Sequence, residues 1–180
     1  KLRNKEALLD LLRMSAAASV PLIGMVTRLT RQKGIDLLPE VLPKMLQERD
    51  FRFVALGSGE AQYERFMHEL QQQFPGRVVF YSGYSEELAH FIEAAADIFL
   101  MPSLYEPCGL NQLYSLKYGT VPVVRRTGGL ADSVQHFEPS TGQGTGIVFN
   151  DFDAGGLRWA LQTALEWYGR PHAWRRLVLN

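Results

Sequence analysis

Cysteine, net charge and long apolar runs are scarce or missing in this chain, and each of these features excludes a class of protein. A single cysteine, Cys108, rules out an intrachain disulfide and disfavours a cysteine-based zinc site. The 19 basic and 19 acidic residues leave no net charge, whereas general nucleic-acid or membrane-surface binders carry a basic field. No apolar run approaches the roughly 20 residues of a membrane span, and no signal peptide precedes the first predicted helix. The four histidines lack metal-ligand spacing. We therefore expect a cytoplasmic protein with no metal, cofactor, nucleic-acid partner or membrane partner.

The residues that are present predict an α/β fold. A 46% hydrophobic content with 21% charged residues is enough to bury a core. Short apolar runs, predicted as strands, cover residues 21–26, 51–56, 77–81, 97–101, 121–124 and 146–149. Helical patterns cover residues 5–14, 34–47, 60–74, 85–96, 109–118, 157–167 and 171–177, with a break or kink expected at Pro39 and Pro43. This alternation is typical of parallel βαβ units. We predict one doubly wound, Rossmann-like sheet of about six strands in residues 20–180, preceded by a flanking helix and connector in residues 1–19.

The stretch from Met101 to Gly119 carries the clearest chemical pattern. There a predicted buried strand opens through a loop with proline and glycine onto a helix, whose first amides lack intrahelical partners and attract anions. Glu106 lies in that opening, where an acid repels phosphate unless it faces another group, such as a sugar hydroxyl. Cys108 has no histidine nearby in sequence to activate it, so we expect it to be buried packing or a wall of the pocket. The stretch predicts two ligands of different chemistry.

Residues that follow the other strands are further candidates, because ligands of doubly wound sheets bind outside the carboxyl ends of the strands. Arg28 and Lys33 follow the first strand and are suited to phosphate, although a single exposed charge is more often only solvated. Gly57 and Gly59 follow the second strand and permit close approach to the backbone. Tyr84 follows the third and could stack on a base, although a single tyrosine more often serves packing.

The fifth strand is followed by Arg125, Arg126 and a glycine pair, which repeats the pattern of cations, glycines and a helix start. Taken together, these strand ends offer cations, glycines, one aromatic ring and one acid. A sugar linked to a nucleoside diphosphate would use every one of these residue classes. The glycine fingerprint of dinucleotide-binding dehydrogenases is missing after the first strand, which ranks that class last.

Three runs resemble one known family. TRLTRQKGIDLL at 27–38, PSLYEPCGLNQLYSLKYGT at 102–120 and RRTGGLADSV at 125–134 are similar to bacterial glycogen synthases and plant starch synthases. These are retaining glycosyltransferases of family 5 with the two-domain GT-B fold. The resemblance extends over residues 20–168 and keeps the motifs in the family's order. It implies that the chain is the C-terminal, nucleotide-sugar-binding half of that fold.

The resemblance also implies a role for each matching residue. Arg28 and Lys33, in the R-x-x-x-Q-K-G motif, would contact the diphosphate, and Tyr84 would line the adenine. Glu106 would hold glucose hydroxyls, while the amides near Leu110 and Asn111 would meet the distal phosphate. The other positions of these motifs that would border the cleft are Cys108, Gly109, Thr127, Gly128 and Gly129.

The implied reaction is transfer of glucose from ADP-glucose to an α-1,4-glucan with retention, by front-face attack that the phosphate-binding cations stabilise. Two positions depart from the family pattern: Asn111 stands where threonine is usual, and Tyr114 where related enzymes have a second glutamate. The N-terminal domain with its K-T-G-G-L loop is absent from the sequence. We therefore expect the chain to bind ADP or ADP-glucose but to turn over little glucan alone, in the cytoplasm or in a plastid. The alternatives are a retaining GT-B enzyme that uses UDP-sugars, or a non-catalytic nucleotide-binding regulatory module.

Overall fold

Six parallel strands form one sheet in the computed structural model, which describes residues 1–180. The strands are β1 (Leu22–Val26), β2 (Arg52–Gly57), β3 (Val78–Ser82), β4 (Ile98–Met101), β5 (Val121–Arg125) and β6 (Ile147–Phe149). Their order across the sheet is β3-β2-β1-β4-β5-β6. The prediction of a doubly wound sheet of about six strands is confirmed. The order reverses between β1 and β4, so the topological switch point lies where these two strands end.

Eight helices accompany this sheet. They are α1 (Leu2–Leu11), α2 (Leu38–Glu48), α3 (Ala61–Gln73), α4 (Glu86–Ala95), α5 (Asn111–Lys117), α6 (Gly128–Ser133), α7 (Ala154–Tyr168) and α8 (Pro171–Leu179). No helix combines the length and apolar character that crossing a lipid bilayer requires. Ser85 caps α4 as its sequence indicates, with its hydroxyl accepting a hydrogen bond from the Leu88 amide at 3.2 Å.

Three helix starts differ from their predictions by three residues or more, and one of them is α7, which begins at Ala154 instead of residue 157. The helix expected from Gly34 begins only at Leu38, and two 3₁₀ turns, Arg31–Lys33 and Ile35–Leu37, precede it. Gly34 between them has a left-handed backbone with φ of 75°, which no α-helix can include. The break therefore occurs at Gly34 and not at a proline, since Pro39 lies in the first turn of α2 and Pro43 inside it. The first helix was predicted to begin at residue 5, but α1 begins at Leu2.

Strand β1 is the centre of the core. Its residues 22–25 are buried, as expected for a parallel strand covered by helices on both faces. A Cβ at Gly24 would lie 2.7 Å from Ile92 Cγ2, so this glycine allows α4 to pack directly on the strand. A cluster of 30 buried residues fills one face of the sheet, and a second cluster on the other face includes Leu8 and Leu9 of α1.

The helix at the start of the chain is joined to the sheet by a buried ion pair. Lys5 Nζ lies 2.5 Å from Asp97 Oδ2, just before β4. It also donates to the Ala18 carbonyl at 2.7 Å and to the Tyr168 hydroxyl at 3.1 Å. Burial raises the pKa of Asp97, although the charge of Lys5 opposes that rise. Because α1 shares the core, the boundary predicted at residue 19 is not visible as a break in packing.

Candidate functional site

A cleft opens at the switch point, where the carboxyl ends of the central strands meet. It consists of two adjoining cavities that share Val26, Thr27, Arg28 and Asn111. The first, of about 170 Å³, lies between the loops after β1 and β4, and we name it the β1–β4 cavity. The second, of about 420 Å³, lies between the ends of β2 and β3 and helix α4, and we name it the β2–α4 cavity.

The β1–β4 cavity contains the three residues predicted to be catalytic. The Lys33 ammonium and the Glu106 carboxylate form an ion pair across it. Glu106 is 7% exposed, and Ser103 Oγ donates to its Oε2 at 3.2 Å. Arg28 also lines this cavity and is exposed. Its guanidinium is absent from the hydrogen bonds and ion pairs formed within the chain. The cavity therefore offers one free cation beside a positioned acid.

The β1 and β4 loops are held together by backbone contact. The Leu104 amide donates to the Gln32 carbonyl at 2.9 Å. A Cβ at Gly34 would lie only 2.1 Å from the Pro102 carbonyl oxygen. Gly34 thus satisfies both a left-handed backbone and a contact that no side chain permits. The pairing of these loops brings Lys33 to Glu106, which is 73 residues away in sequence.

The predicted glycines after β5 position the loop that carries Glu106. The Gly129 amide donates to the Glu106 carbonyl at 2.9 Å. A Cβ on Gly128 or Gly129 would lie 2.1 Å from the carbonyl oxygen of Glu106 or Cys108, respectively. Thr127 Oγ1 lies 3.5 Å from the Leu104 carbonyl. None of these three residues lines either cavity, so this structure supports a positioning role for them. Their contact with substrate stays a prediction.

The two arginines after β5 are occupied by contacts within the chain. Arg125 Nε donates to the Ser103 carbonyl at 2.9 Å, and its Nη2 donates to the Leu104 carbonyl. Arg126 Nε donates to Asn150 Oδ1 at 2.9 Å. Arg125 therefore stabilises the loop after β4, Arg126 contacts the residue after β6, and neither arginine lines the two cavities.

The residues after Glu106 divide between the cleft and the surface. Gly109, Leu110 and Asn111 line the β1–β4 cavity as predicted. The Asn111 side chain donates from Nδ2 to the Val26 carbonyl at 3.0 Å, so it joins α5 to the end of β1. Cys108 is exposed and lines neither cavity. The expectation that it is buried is therefore wrong, and its contact with substrate stays a prediction.

The β2–α4 cavity contains Gly57 and Tyr84 from the predicted set. The Tyr84 ring is 80% exposed, so it has a free face toward the cleft and does not serve as core packing. A Cβ at Gly57 would lie 1.9 Å from the Thr27 carbonyl oxygen, and one at Gly59 would lie 2.3 Å from that of Leu29. These glycines therefore let the β2 loop approach the β1 loop. Gly59 itself is outside both cavities.

Several cavity residues were missed by the sequence argument. Glu86, His90 and Glu93 line the β2–α4 cavity from α4, and Tyr114 lines it from α5. His90 Nδ1 lies 3.3 Å from Glu93 Oε2, and burial raises the pKa of Glu93. The available signal was their spacing of three residues, which places both on one helix face. They lie inside helices, whereas the prediction covered residues that follow strand ends.

The fold and the cleft define a Rossmann-like domain whose switch point carries a cleft lined by Arg28, Lys33 and Glu106. The sequence profile of the family described as glycosyl transferases group 1 matches residues 15–176, nearly the whole chain. The chain belongs to this family.

Its similarity to individual relatives is more specific. It is 44% identical over 178 residues to glycogen synthase of Bacillus cereus (strain ATCC 10987 / NRS 248), covering 99% of this chain and 37% of that protein. Glycogen synthase of Hydrogenovibrio crunogenus is 47% identical over 186 residues, covering 100% of this chain and 38% of that protein. The predicted resemblance to glycogen synthases is thereby confirmed, and the chain spans little more than a third of these relatives.

A solved structure supports the same conclusion for the fold. The catalytic domain of starch synthase IV from Arabidopsis thaliana, bound to ADP and acarbose, superimposes with a TM-score of 0.89 at 38% identity. The match covers 98% of this chain and 37% of that one. The fold is that of the C-terminal domain of a GT-B glycosyltransferase, as predicted.

Proposed function

We propose that the chain is the donor-binding domain of a retaining glucosyltransferase that extends α-1,4-glucan from ADP-glucose. The observation that carries this proposal is the β1–β4 cavity, where the free Arg28 guanidinium lies beside the Lys33–Glu106 ion pair. The similarity to proteins named glycogen synthase, and to a starch synthase bound to ADP and acarbose, supports this choice of donor and acceptor.

In this proposal Arg28 and Lys33 bind the diphosphate of the donor. An arginine can form two parallel hydrogen bonds to phosphate oxygens, and a lysine supplies a compact positive charge. When the bond to glucose breaks, negative charge accumulates on the departing ADP. Cations already fixed beside that charge lower the barrier without having to reorganise. Charge stabilisation is thus the main contribution of these two residues to the reaction.

Glu106 orients the sugar and does not act as a nucleophile. Lys33 and Ser103 hold its carboxylate in place before any ligand arrives. A positioned carboxylate can accept hydrogen bonds from sugar hydroxyls and fix the reacting carbon relative to the diphosphate. With no nucleophile assigned, retention follows from attack of the acceptor 4-hydroxyl on the face that ADP leaves. The departing phosphate then accepts the proton of that hydroxyl.

The glucan acceptor, in this proposal, binds largely to parts of the full-length enzyme outside this chain. The chain spans only 37–38% of its glycogen synthase relatives. We propose that the N-terminal GT-B domain supplies the rest of the acceptor site. The 180-residue chain would therefore bind ADP or ADP-glucose and turn over little glucan. We place the full-length enzyme in the cytoplasm, or in a plastid if the source is a plant.

Isothermal titration calorimetry of the chain with ADP and UDP tests this proposal. We expect ADP to bind more tightly than UDP. Arg28→Ala and Lys33→Ala should each weaken the affinity for ADP about tenfold or more, since a charged hydrogen bond contributes about 1.5–3 kcal/mol. Arg65→Ala and Lys44→Ala, which remove exposed cations from α3 and α2, are the matched controls. Absence of heat at millimolar ADP would refute donor binding. Unchanged affinity in both cleft variants would refute the diphosphate assignment, and tighter binding of UDP would favour a UDP-sugar enzyme.

A further inference from the structure

Helix α4 presents a histidine and a buried glutamate to the β2–α4 cavity. His90 is 48% exposed at its side chain and Glu93 only 3%, and His90 Nδ1 lies 3.3 Å from Glu93 Oε2. The His90 ring meets the edge of Tyr114, with 5.9 Å between centroids. The other ring nitrogen, Nε2, forms no hydrogen bond within the chain. Glu93 therefore orients the His90 ring through Nδ1, and Nε2 is left free to contact a ligand in the cavity.

The charges of the cleft are divided between its two ends. Lys33 lies at the β1–β4 cavity and Arg28 where the two cavities meet, whereas the carboxylates of Glu86 and Glu93 line only the β2–α4 cavity. A diphosphate is attracted to the first end and repelled from the second. The second end suits a neutral group that carries O–H and N–H donors, such as a ribose or a base with an amino group. The exposed ring of Tyr84 offers that group a flat apolar surface.

We propose that His90, held by Glu93, binds the nucleoside end of a nucleoside diphosphate sugar in the β2–α4 cavity. This inference rests on the proposed function, since it takes the diphosphate to lie at Arg28 and Lys33. His90 makes the contact with the ligand. Glu93 is a positioning residue that acts through His90.

The hydrogen bond to Glu93 explains how a half-exposed imidazole can serve as a specific contact. A carboxylate that accepts from Nδ1–H fixes the orientation of the ring and the tautomer, which leaves Nε2 as an acceptor for a ligand hydroxyl or amino group. The backbone of Glu93 is itself held, because Thr120 Oγ1 donates to its carbonyl at 2.5 Å. The other titratable side chains that line this cavity are those of Arg28, Tyr84, Glu86 and Tyr114.

The test compares two ligands by calorimetry: ADP, which has a nucleoside, and inorganic diphosphate, which has none. We expect His90→Ala to weaken ADP about tenfold, the equivalent of one hydrogen bond, and to leave diphosphate unchanged. Glu93→Ala should likewise weaken the binding of ADP and leave the binding of diphosphate unchanged. Glu93→Gln should restore part of the ADP affinity, since its carboxamide oxygen can still accept from Nδ1. His172→Ala, which removes an exposed histidine of α8, should change neither ligand.

Each outcome decides between a ligand contact and a structural role. If His90→Ala binds ADP as the wild type does, the inference is wrong and the proposed function stands. If it weakens diphosphate as much as ADP, His90 supports the fold and not the nucleoside, which also overturns the inference. If the wild type binds neither ligand, the proposed function itself fails. Should His90→Ala unfold, judged by circular dichroism, His90→Phe keeps the ring against Tyr114 and must show the same selective loss.

Discussion

The two cavities of the cleft are built in different ways. Around the β1–β4 cavity, loops from distant parts of the chain touch backbone to backbone, and glycines occupy the contact points. Around the β2–α4 cavity, most of the polar lining groups are side chains, which come from the strand ends and from helices α4 and α5. Backbone changes at the first cavity should therefore damage stability and binding together. Side-chain changes at the second should affect binding with little loss of stability.

Glycine positions show the contrast directly. A Cβ at Gly34, Gly128 or Gly129 would lie 2.1 Å from a carbonyl oxygen, closer than real contacts allow. A Cβ at Gly83, in the β2–α4 cavity, would have Tyr81 Cε1 as its nearest neighbour at 3.5 Å, an ordinary contact. The paired loops beside the β1–β4 cavity thus tolerate no added atom at these points, whereas the β2–α4 cavity has room at Gly83, although not at Gly57, where a Cβ would lie 1.9 Å from the Thr27 carbonyl oxygen.

The largest effect should come from Gly34→Ala. The alanine would need a left-handed backbone and would press its methyl group against the Pro102 carbonyl. Strain and overpacking each cost roughly 1–3 kcal/mol, so we expect a loss of about 2–4 kcal/mol in the free energy of unfolding. Because the β1 and β4 loops separate, ADP affinity should fall as well. Urea denaturation and calorimetry measure the two quantities.

Gly169→Ala is the matched control for this substitution. Gly169 caps α7 with φ of −68°, and an added Cβ would come no closer than 3.4 Å to Glu166 O. We expect the free energy of unfolding to change by less than about 0.5 kcal/mol. Equal stability of Gly34→Ala and Gly169→Ala would show that the paired loops are not rigid, and the contrast between the cavities would disappear.

The next largest effect is expected from breaking the Lys33–Glu106 ion pair. Lys33→Met leaves the Glu106 carboxylate buried with only the Ser103 hydroxyl as partner, and we expect a loss of about 2 kcal/mol in stability. Glu106→Gln in the same chain removes the unpaired charge, so the double variant should recover part of that loss. A double-mutant cycle by urea denaturation measures the coupling. Strict additivity of the two single changes would mean that the pair contributes nothing to the fold.

A smaller and purely functional effect is expected at the other end. Tyr84→Ala removes a ring that is 80% exposed, so the fold loses little. If the ring stacks on the base, ADP affinity should fall about 5- to 10-fold, since aromatic stacking contributes roughly 1 kcal/mol. Tyr84→Phe keeps the stacking surface and should bind ADP almost as the wild type does. A matching loss of diphosphate affinity in Tyr84→Ala would contradict this division of the cleft.

The fold could be predicted because the sequence clearly distinguishes its strands from its helices. Each central strand is buried on both faces and reads as a short apolar run, and the helices between them show a spacing that only parallel crossovers explain. Helix ends were less predictable. The start of α2 depends on the backbone conformation of Gly34, which is set by its contact with Pro102, 68 residues further along the chain.

The site could be predicted only where a charged side chain follows the end of a strand. Arg28 and Lys33 follow β1, and Glu106 follows β4, so the strand-end rule found all three. His90 and Glu93 lie inside a helix, where charged residues are usually solvated, and nothing local shows that their face borders a cavity. The glycines were visible, but a sequence cannot show which atom occupies the space of a missing side chain.

The smallest expected effect concerns the buried carboxylate of the β2–α4 cavity. Whereas Glu106 is paired with the Lys33 ammonium, Glu93 has only His90 beside it, and burial raises the pKa of Glu93 although His90 opposes that rise. A raised carboxyl pKa contributes stability that is complete below the unfolded value and is lost as pH rises through the folded value. Glu93→Gln, which carries no charge, should therefore be more stable than the wild type at pH 8, with the difference vanishing toward pH 4.

Glu138→Gln gives the comparison of opposite sign for this last effect. Hydrogen bonds from Ser140 lower the pKa of the exposed Glu138, so its contribution is present above the unfolded pKa and is lost as pH falls. This variant should be less stable than the wild type at pH 8, and the gap should close in acid. Urea denaturation at both pH values measures each difference. If both variants shift in the same direction, Glu93 is not a destabilising charge, and the β2–α4 cavity is as well compensated as its neighbour.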